Sequence, residues 1–349
     1  MPGFSTTAAQ NGAVILTISS STSGATVHYT IDGSSPTTSS PTYQTPMLIS
    51  SDLTLKAIAT ISGAPSSSVA SWTPSTPVTP GALVWSDEFT NPTGANAQPS
   101  PAVWTYDTGG GGWGNSELEH YCGWNSSDSP CDATKPNVYV GTDGYLHIVA
   151  EQPSAGVYTS ARMKSQGLFS ILYGRVEARI RVPEAQGFWP AFWMLGNNIV
   201  TDQWPACGEL DILERVNAAL NPDWNEGSIH GTGFTGQNLG TRYFVPAGQT
   251  AAAWHIYGMI WPPSSVYYID DPANIYAPYS PASLASLPGA VWPFDSGNAQ
   301  FFILNLAVGG SWAGSPNSTT PFPSEMLVDY VRVYALSNPV AAYRGVTTK

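Results

Sequence analysis

Charge is what this chain has least of. Only 10% of its 349 residues are Asp, Glu, Lys or Arg, and 12 of those are basic, which leaves a net charge of −12. Without a basic patch it lacks the counter-charge that phosphate backbones and anionic lipid surfaces require, so nucleic acid and membrane are excluded as expected partners. No apolar run is long enough to cross a bilayer as a helix. Three cysteines permit one disulfide at most, which rules out a cystine-stapled scaffold. Cys122 and Cys131 flank the loop GWNSSDSP and are the expected pair, and Cys207 is expected to be a buried thiol. Five scattered histidines show neither H-x-x-x-H nor C-x-x-C spacing, which argues against a catalytic zinc. Long stretches of helical periodicity are also scarce.

What is abundant points to strands. There are 34 Gly and 30 Pro, and between them lie strand-length runs rich in Val, Ile, Thr, Tyr and Trp, among them 176–182, 266–270, 301–308 and 326–334. Such runs between turn-forming clusters predict an all-β protein. The chain divides near residue 80. Pro74-Ser-Thr-Pro-Val-Thr-Pro-Gly81 has the composition of a stiff linker. Before it, alternating runs at 13–19, 26–31, 54–61 and 68–73, with an Asp32-Gly33 turn, predict a small immunoglobulin-like β-sandwich over residues 1–73. Residues 82–337 form the large domain, and 338–349 a tail. The aromatics of the small module (Phe4, Tyr29, Tyr43, Trp72) are few for a sugar platform. A spacer or stabilising role is the first reading, carbohydrate binding the second.

The most informative segment is Glu209-Leu-Asp211-Ile-Leu-Glu214, three acids in six residues of an otherwise apolar stretch. On a strand, alternation puts Glu209 and Asp211 on one face and would put Leu213, not Glu214, beside them. A one-residue bulge after Asp211 would bring Glu214 back to that face. Three crowded acids raise at least one pKa, giving the protonated and ionised pair that two-carboxylate hydrolysis uses. By themselves such acids are more often solvated surface or metal ligands. Upstream, Gly187-Phe-Trp189-Pro-Ala-Phe-Trp193-Met-Leu-Gly196 puts Trp189, Ala191 and Trp193 on one strand face, and Trp204 follows shortly. Indoles on a groove wall can stack on the apolar face of a pyranose, although each is equally at home in a core.

These segments, with LVWSDEF (83–89), GGGGWGNSELEHY (109–121), YTSARMKSQGLFSILYGRVEARIRVP (158–183), CGELDILE (207–214), SIHGT (228–232), NLAVGGSW (305–312) and MLVDYVRVY (326–334), occur in family order over about 250 residues. The chain resembles glycoside hydrolase family 16, in its bacterial laminarinase-like branch. Residues 24–46 and 53–59 resemble the chitobiase/hexosaminidase carboxy-terminal-like module.

The resemblance implies a concave two-sheet β-jelly-roll and an endo-acting, retaining β-1,3-glucanase. Glu209 matches the nucleophile, Glu214 the acid/base, and Asp211 the residue that tunes both. It also implies sugar contacts from Asn115, Glu119, Arg162, Trp193, Trp204 and His230; an Arg162 paired with an acid and a core His230 are the structural alternatives. No cofactor is implied for the chemistry. A structural Ca²⁺ is implied on the convex side, through the Glu88 main chain and Asp329. Mixed-linkage β-1,3-1,4-glucan is the runner-up substrate, sulfated galactans are remote for so acidic a chain, and a non-catalytic glucan-binding protein is the other class. Met1-Pro-Gly-Phe4 lacks the basic and apolar regions of a secretory leader. Secretion, with the leader removed, is expected from the family, and a monomer is the default.

Overall fold

The computed structural model describes residues 1–216, 223–235 and 239–337; the expected tail, 338–349, lies outside them. The fold is all-β, as the turn-punctuated runs predict. An eleven-stranded sheet carries the acids, and a ten-stranded sheet packs behind it. Among the described residues no helix is long and apolar enough to cross a membrane.

At the centre of the first sheet, Phe188–Gly196 and Gln300–Val308 pair antiparallel over nine residues each. Alternation sorts their side chains. Phe188, Phe192, Met194, Phe302, Leu304, Leu306 and Val308 enter the core between the sheets. Trp189, Ala191, Trp193, Leu195 and Asn305 face a cleft on the other side. The acid strand Glu209–Glu214 pairs with Phe188–Gly196 on one edge and with Trp224–His230 on the other.

The small module is a six-stranded sandwich, but it is not separate from the rest. Its strand Met47–Ile49 pairs in parallel with Ser170–Leu172, so Gly3–Ala8, Val14–Ser19 and Met47–Ile49 continue the cleft-bearing sheet. Thr26–Thr30, Leu55–Thr60 and Ala70–Trp72 make its other sheet. One apolar cluster runs through both halves, from Leu16, Val27 and Leu48 to Ile171, Leu172 and Val333. Hydrogen bonds cross the junction: Tyr29 Oη donates to the Gly297 carbonyl at 2.6 Å, and Ser170 Oγ to that of Pro46 at 2.9 Å. The Pro-rich segment expected to be a linker is packed down. Val78 is buried and Thr79 N–H donates to the Asn11 carbonyl. At Gly12, whose φ is +88°, a Cβ would lie 2.3 Å from the Pro77 carbonyl oxygen, so only glycine lets the segment approach.

Candidate active site

The acids come together because the acid strand is bulged. Asp211 pairs with Ser228 and Glu214 with Glu226, so three residues advance on one strand against two on its neighbour. Facing Phe188–Gly196, Asp211 and Leu213 oppose consecutive residues, which places the extra residue at Ile212. Glu209, Asp211 and Glu214 therefore line one cleft of about 380 Å³, with Trp113, Asn115, Glu117, Arg162, Trp189, Trp193, Trp204 and Asn305. A second hollow of about 270 Å³ shares Glu209 and Glu214 and extends past Glu226, Ser228 and His230 to Trp312. The acids thus stand where the two hollows adjoin, with lining residues on either side of them.

Their partners differ. Glu209 Oε2 accepts the Trp204 indole N–H at 2.8 Å, and Glu214 Oε1 accepts that of Trp189 at 3.1 Å. Asp211 Oδ2 accepts the Ser228 hydroxyl at 2.6 Å and lies 2.9 Å from His230 Nε2. Burial works against charging His230, yet Asp211, by charge and hydrogen bond, pushes its pKa up to about 9. At neutral pH an imidazolium therefore sits against Asp211, 3.7 Å from Glu209 Oε1.

Burial, then the Asp211 charge, pushes Glu209 up to about 8, while His230, the Trp204 N–H and Arg162 pull the other way. Glu214 is raised well above the usual carboxylate range, again by burial first and Asp211 second. Its neighbours Glu209 and Glu226 raise it further, and His230 is its main offset. Glu214 is thus raised the more of the two, so Glu209 is the first of the pair to ionise and Glu214 the one that keeps its proton.

Of the other residues singled out in the sequence, Asn115, Arg162, Trp193 and Trp204 line the cleft. His230 lines the adjoining hollow. Trp204 is 50% exposed, the open indole a stacking ring needs. Arg162 does pair with an acid, Asp107 at 3.1 Å, and its guanidinium lies 4.7 Å from the Trp193 ring centroid. Glu119 is a correction. It is 1% exposed, absent from the cleft wall, and accepts the Val308 N–H at 2.6 Å. Burial and the neighbouring Glu117 push it up to about 8. Glu117 reaches the cleft in its place, accepting from Asn115 Nδ2 at 3.0 Å and from Tyr121 Oη at 2.9 Å.

Trp113, Glu117, Asn305 and Trp312 were not singled out from sequence. The only hint was their place inside the matched segments, 109–121 and 305–312. Cys122 and Cys131 are joined, and Cys207 is a buried free thiol.

The expected cation ligands lie on the other sheet or next to it. Both carboxylate oxygens of Glu88 accept from Arg332, at 2.9 and 2.8 Å, and Asp329 accepts from Arg179 at 2.7 Å. Among the described residues, the side-chain clusters with metal-ligand spacing are Glu209–Asp211–His230 and His255–Asp270–Asp271, neither of which includes them. Both carboxylates are thus engaged by arginines.

Comparison with known proteins gives two family matches. Residues 125–331 match Glycosyl hydrolases family 16, and residues 6–71 the Chitobiase/beta-hexosaminidase C-terminal domain. A beta-glucanase of Rhodothermus marinus is 36% identical over 72% of this chain and 84% of its own length. Glucan endo-1,3-beta-glucosidase A1 of Niallia circulans is 35% identical over 75% of this chain, which spans 39% of that longer protein. The laminarinase catalytic domain of Thermotoga maritima superposes with a TM-score of 0.64 at 37% identity, over 74% of this chain and all of that domain.

Proposed function

The chain belongs to glycosyl hydrolases family 16, and on that premise we propose that it cleaves β-1,3-glucan within the chain, with retention of configuration. The observation that carries the reading is the Ile212 bulge, which puts Glu209, Asp211 and Glu214 on one cleft wall. Glu209, ionised and fixed by Trp204, attacks the anomeric carbon as Glu214 protonates the departing glycosidic oxygen. A covalent glycosyl-enzyme forms and the leaving chain departs. Glu214, now a carboxylate, takes a proton from water, and the water oxygen displaces Glu209. Asp211 and His230 hold the charge balance, since one proton must pass through Glu214 twice.

The cleft suits a neutral polymer. Glu117, Glu209, Asp211 and Glu214 outnumber the nearby cations, Arg162, already paired with Asp107, and His230, held by Asp211. A sulfated chain would meet like charge. Trp193, Trp204 and Trp312 offer indoles on both sides of the acids for sugar rings. We further propose that the enzyme acts outside the cell, where polymeric glucan is met.

The test is product analysis on laminarin, curdlan and lichenan, for wild type and Glu209→Ser. Short oligosaccharides released from laminarin by wild type and abolished by the substitution support the assignment. Faster release from lichenan would move the substrate to mixed-linkage glucan. No release from any of the three, with retention on insoluble curdlan, would make the protein a glucan binder and overturn the enzymatic reading.

A further inference from the structure

A bulge needs a reason to stay where it is. At Ile212 the acid strand has one residue more than Trp224–His230 can pair with, so main-chain groups there lose their ladder partners. Ile212 and Leu213 are fully buried, and an unpaired N–H or C=O would be costly there. A regular ladder would satisfy them, but it would turn Leu213 into the cleft and Glu214 out of it.

One side chain removes that conflict. On Trp224–His230, the residues Glu226, Ser228 and His230 face the groove, which by alternation turns Asn225 to the interior, where it is 0% exposed. Its carboxamide stands in for the missing ladder. Oδ1 accepts the Glu214 main-chain N–H at 3.1 Å, and Nδ2 donates to the Ile212 carbonyl at 3.1 Å. Nδ2 also donates to Tyr276 Oη at 2.9 Å, and the donor-only Glu214 N–H with the acceptor-only Ile212 carbonyl fixes which end of the amide points where. Directly beneath, Gly227 leaves room for Tyr268: a Cβ at Gly227 would come within 2.5 Å of that ring. Tyr268 Oη donates to the Ser228 carbonyl, on the residue that hydrogen-bonds Asp211.

We infer that Asn225 is a positioning residue for catalysis: its carboxamide locks the Ile212 bulge and so keeps Glu214 aimed at the glycosidic oxygen. Asn225 touches no substrate. It acts through the backbone of the acid/base residue, and the inference rests on the proposed role of Glu214.

The role makes a prediction that plain destabilisation does not. Protonation by Glu214 matters for a sugar leaving group and hardly at all for 2,4-dinitrophenolate, which departs without a proton. For folded Asn225→Ala, kcat on laminarin should fall about 10²–10³-fold with KM little changed. The kcat/KM for 2,4-dinitrophenyl β-laminaribioside, which reports only the steps up to departure of dinitrophenolate and not the later base step of Glu214, should fall less than tenfold. Glu214→Gln, in the same assay, is the yardstick. Should Asn225→Ala not fold, Asn225→Asp keeps the shape and the acceptor for Glu214 N–H but sets a carboxylate against the Ile212 carbonyl, and the same selective loss is expected. Equal loss on both substrates, or none, in a variant with native circular dichroism would overturn the inference. If Glu214→Gln itself lacked the leaving-group selectivity, the assignment of Glu214 would fail instead, so the two failures are distinguishable.

Discussion

If the small module is part of the catalytic sheet, a substitution inside the module must melt the catalytic domain. Leu48 is the residue to change. It is 0% exposed and lies in the middle strand of the junction, opposite Ile15 on one side and Ile171 on the other. Leu48→Ala removes packing from both halves, at a cost of about 3 kcal/mol within the usual range of roughly 2–5 for a buried leucine. For 349 residues the unfolding entropy is about 0.7 kcal/mol/K, so the midpoint should fall by about 4 °C. Tryptophan fluorescence is the assay, because twelve of the 13 tryptophans lie beyond residue 81 and Trp72 alone lies in the module. One cooperative transition, shifted as a whole and accompanied by the loss of laminarin hydrolysis at the same temperature, is expected. A separate early transition, with the catalytic tryptophans and activity melting at the wild-type temperature, would refute the shared sheet.

Three further outcomes follow from the site. In Asp211→Asn, removing the charge that raises both Glu214 and His230 should move the alkaline limb of kcat/KM toward acid by roughly one pH unit; an unmoved limb would exclude Asp211 as the tuning group. Trp204→Phe keeps an aromatic ring but withdraws the N–H that lowers Glu209, so the acid limb should rise in pH while a stacking contribution to KM largely survives. Glu214→Gln should stabilise the fold increasingly as pH rises. The carboxyl is raised well above its ordinary 4.5, so wild type carries no penalty below pH 4.5 and a growing one above it, where the unfolded chain is ionised and the folded chain resists it. The midpoint difference between Glu214→Gln and wild type, near zero at pH 4 and growing toward neutral pH, checks this by calorimetry.

How much of this was legible in the sequence depends on how far apart the partners lie. The acid strand was readable because its logic is local: period-two alternation with one misplaced glutamate implies a bulge within six residues. The tryptophan face of Phe188–Gly196 was readable for the same reason. Glu119 misled because it sits two residues from Glu117, on the same face by simple alternation. What separates them is the Val308 N–H, which captures Glu119 from a strand almost 190 residues away. Asn225 carried no signal at all, since its role exists only once its strand lies beside the bulge. The joining of the module was hidden likewise: Met47–Ile49 and Ser170–Leu172 are each three residues long, and only their pairing turns a domain boundary into the middle of a sheet. The Pro-rich composition of 74–81 points to a stiff spacer, but a stiff segment can be a clamp as well, and here it is packed down.

The central claim is double displacement by Glu209 and Glu214. Its most direct measurement is a proton NMR time course of the anomeric signals released from reduced laminari-oligosaccharides in the first minutes of reaction. Retention predicts that the β-anomer appears first and the α-anomer only later, by mutarotation. If the α-anomer appears first, the mechanism is inverting, and the assignment of Glu209 as nucleophile is wrong.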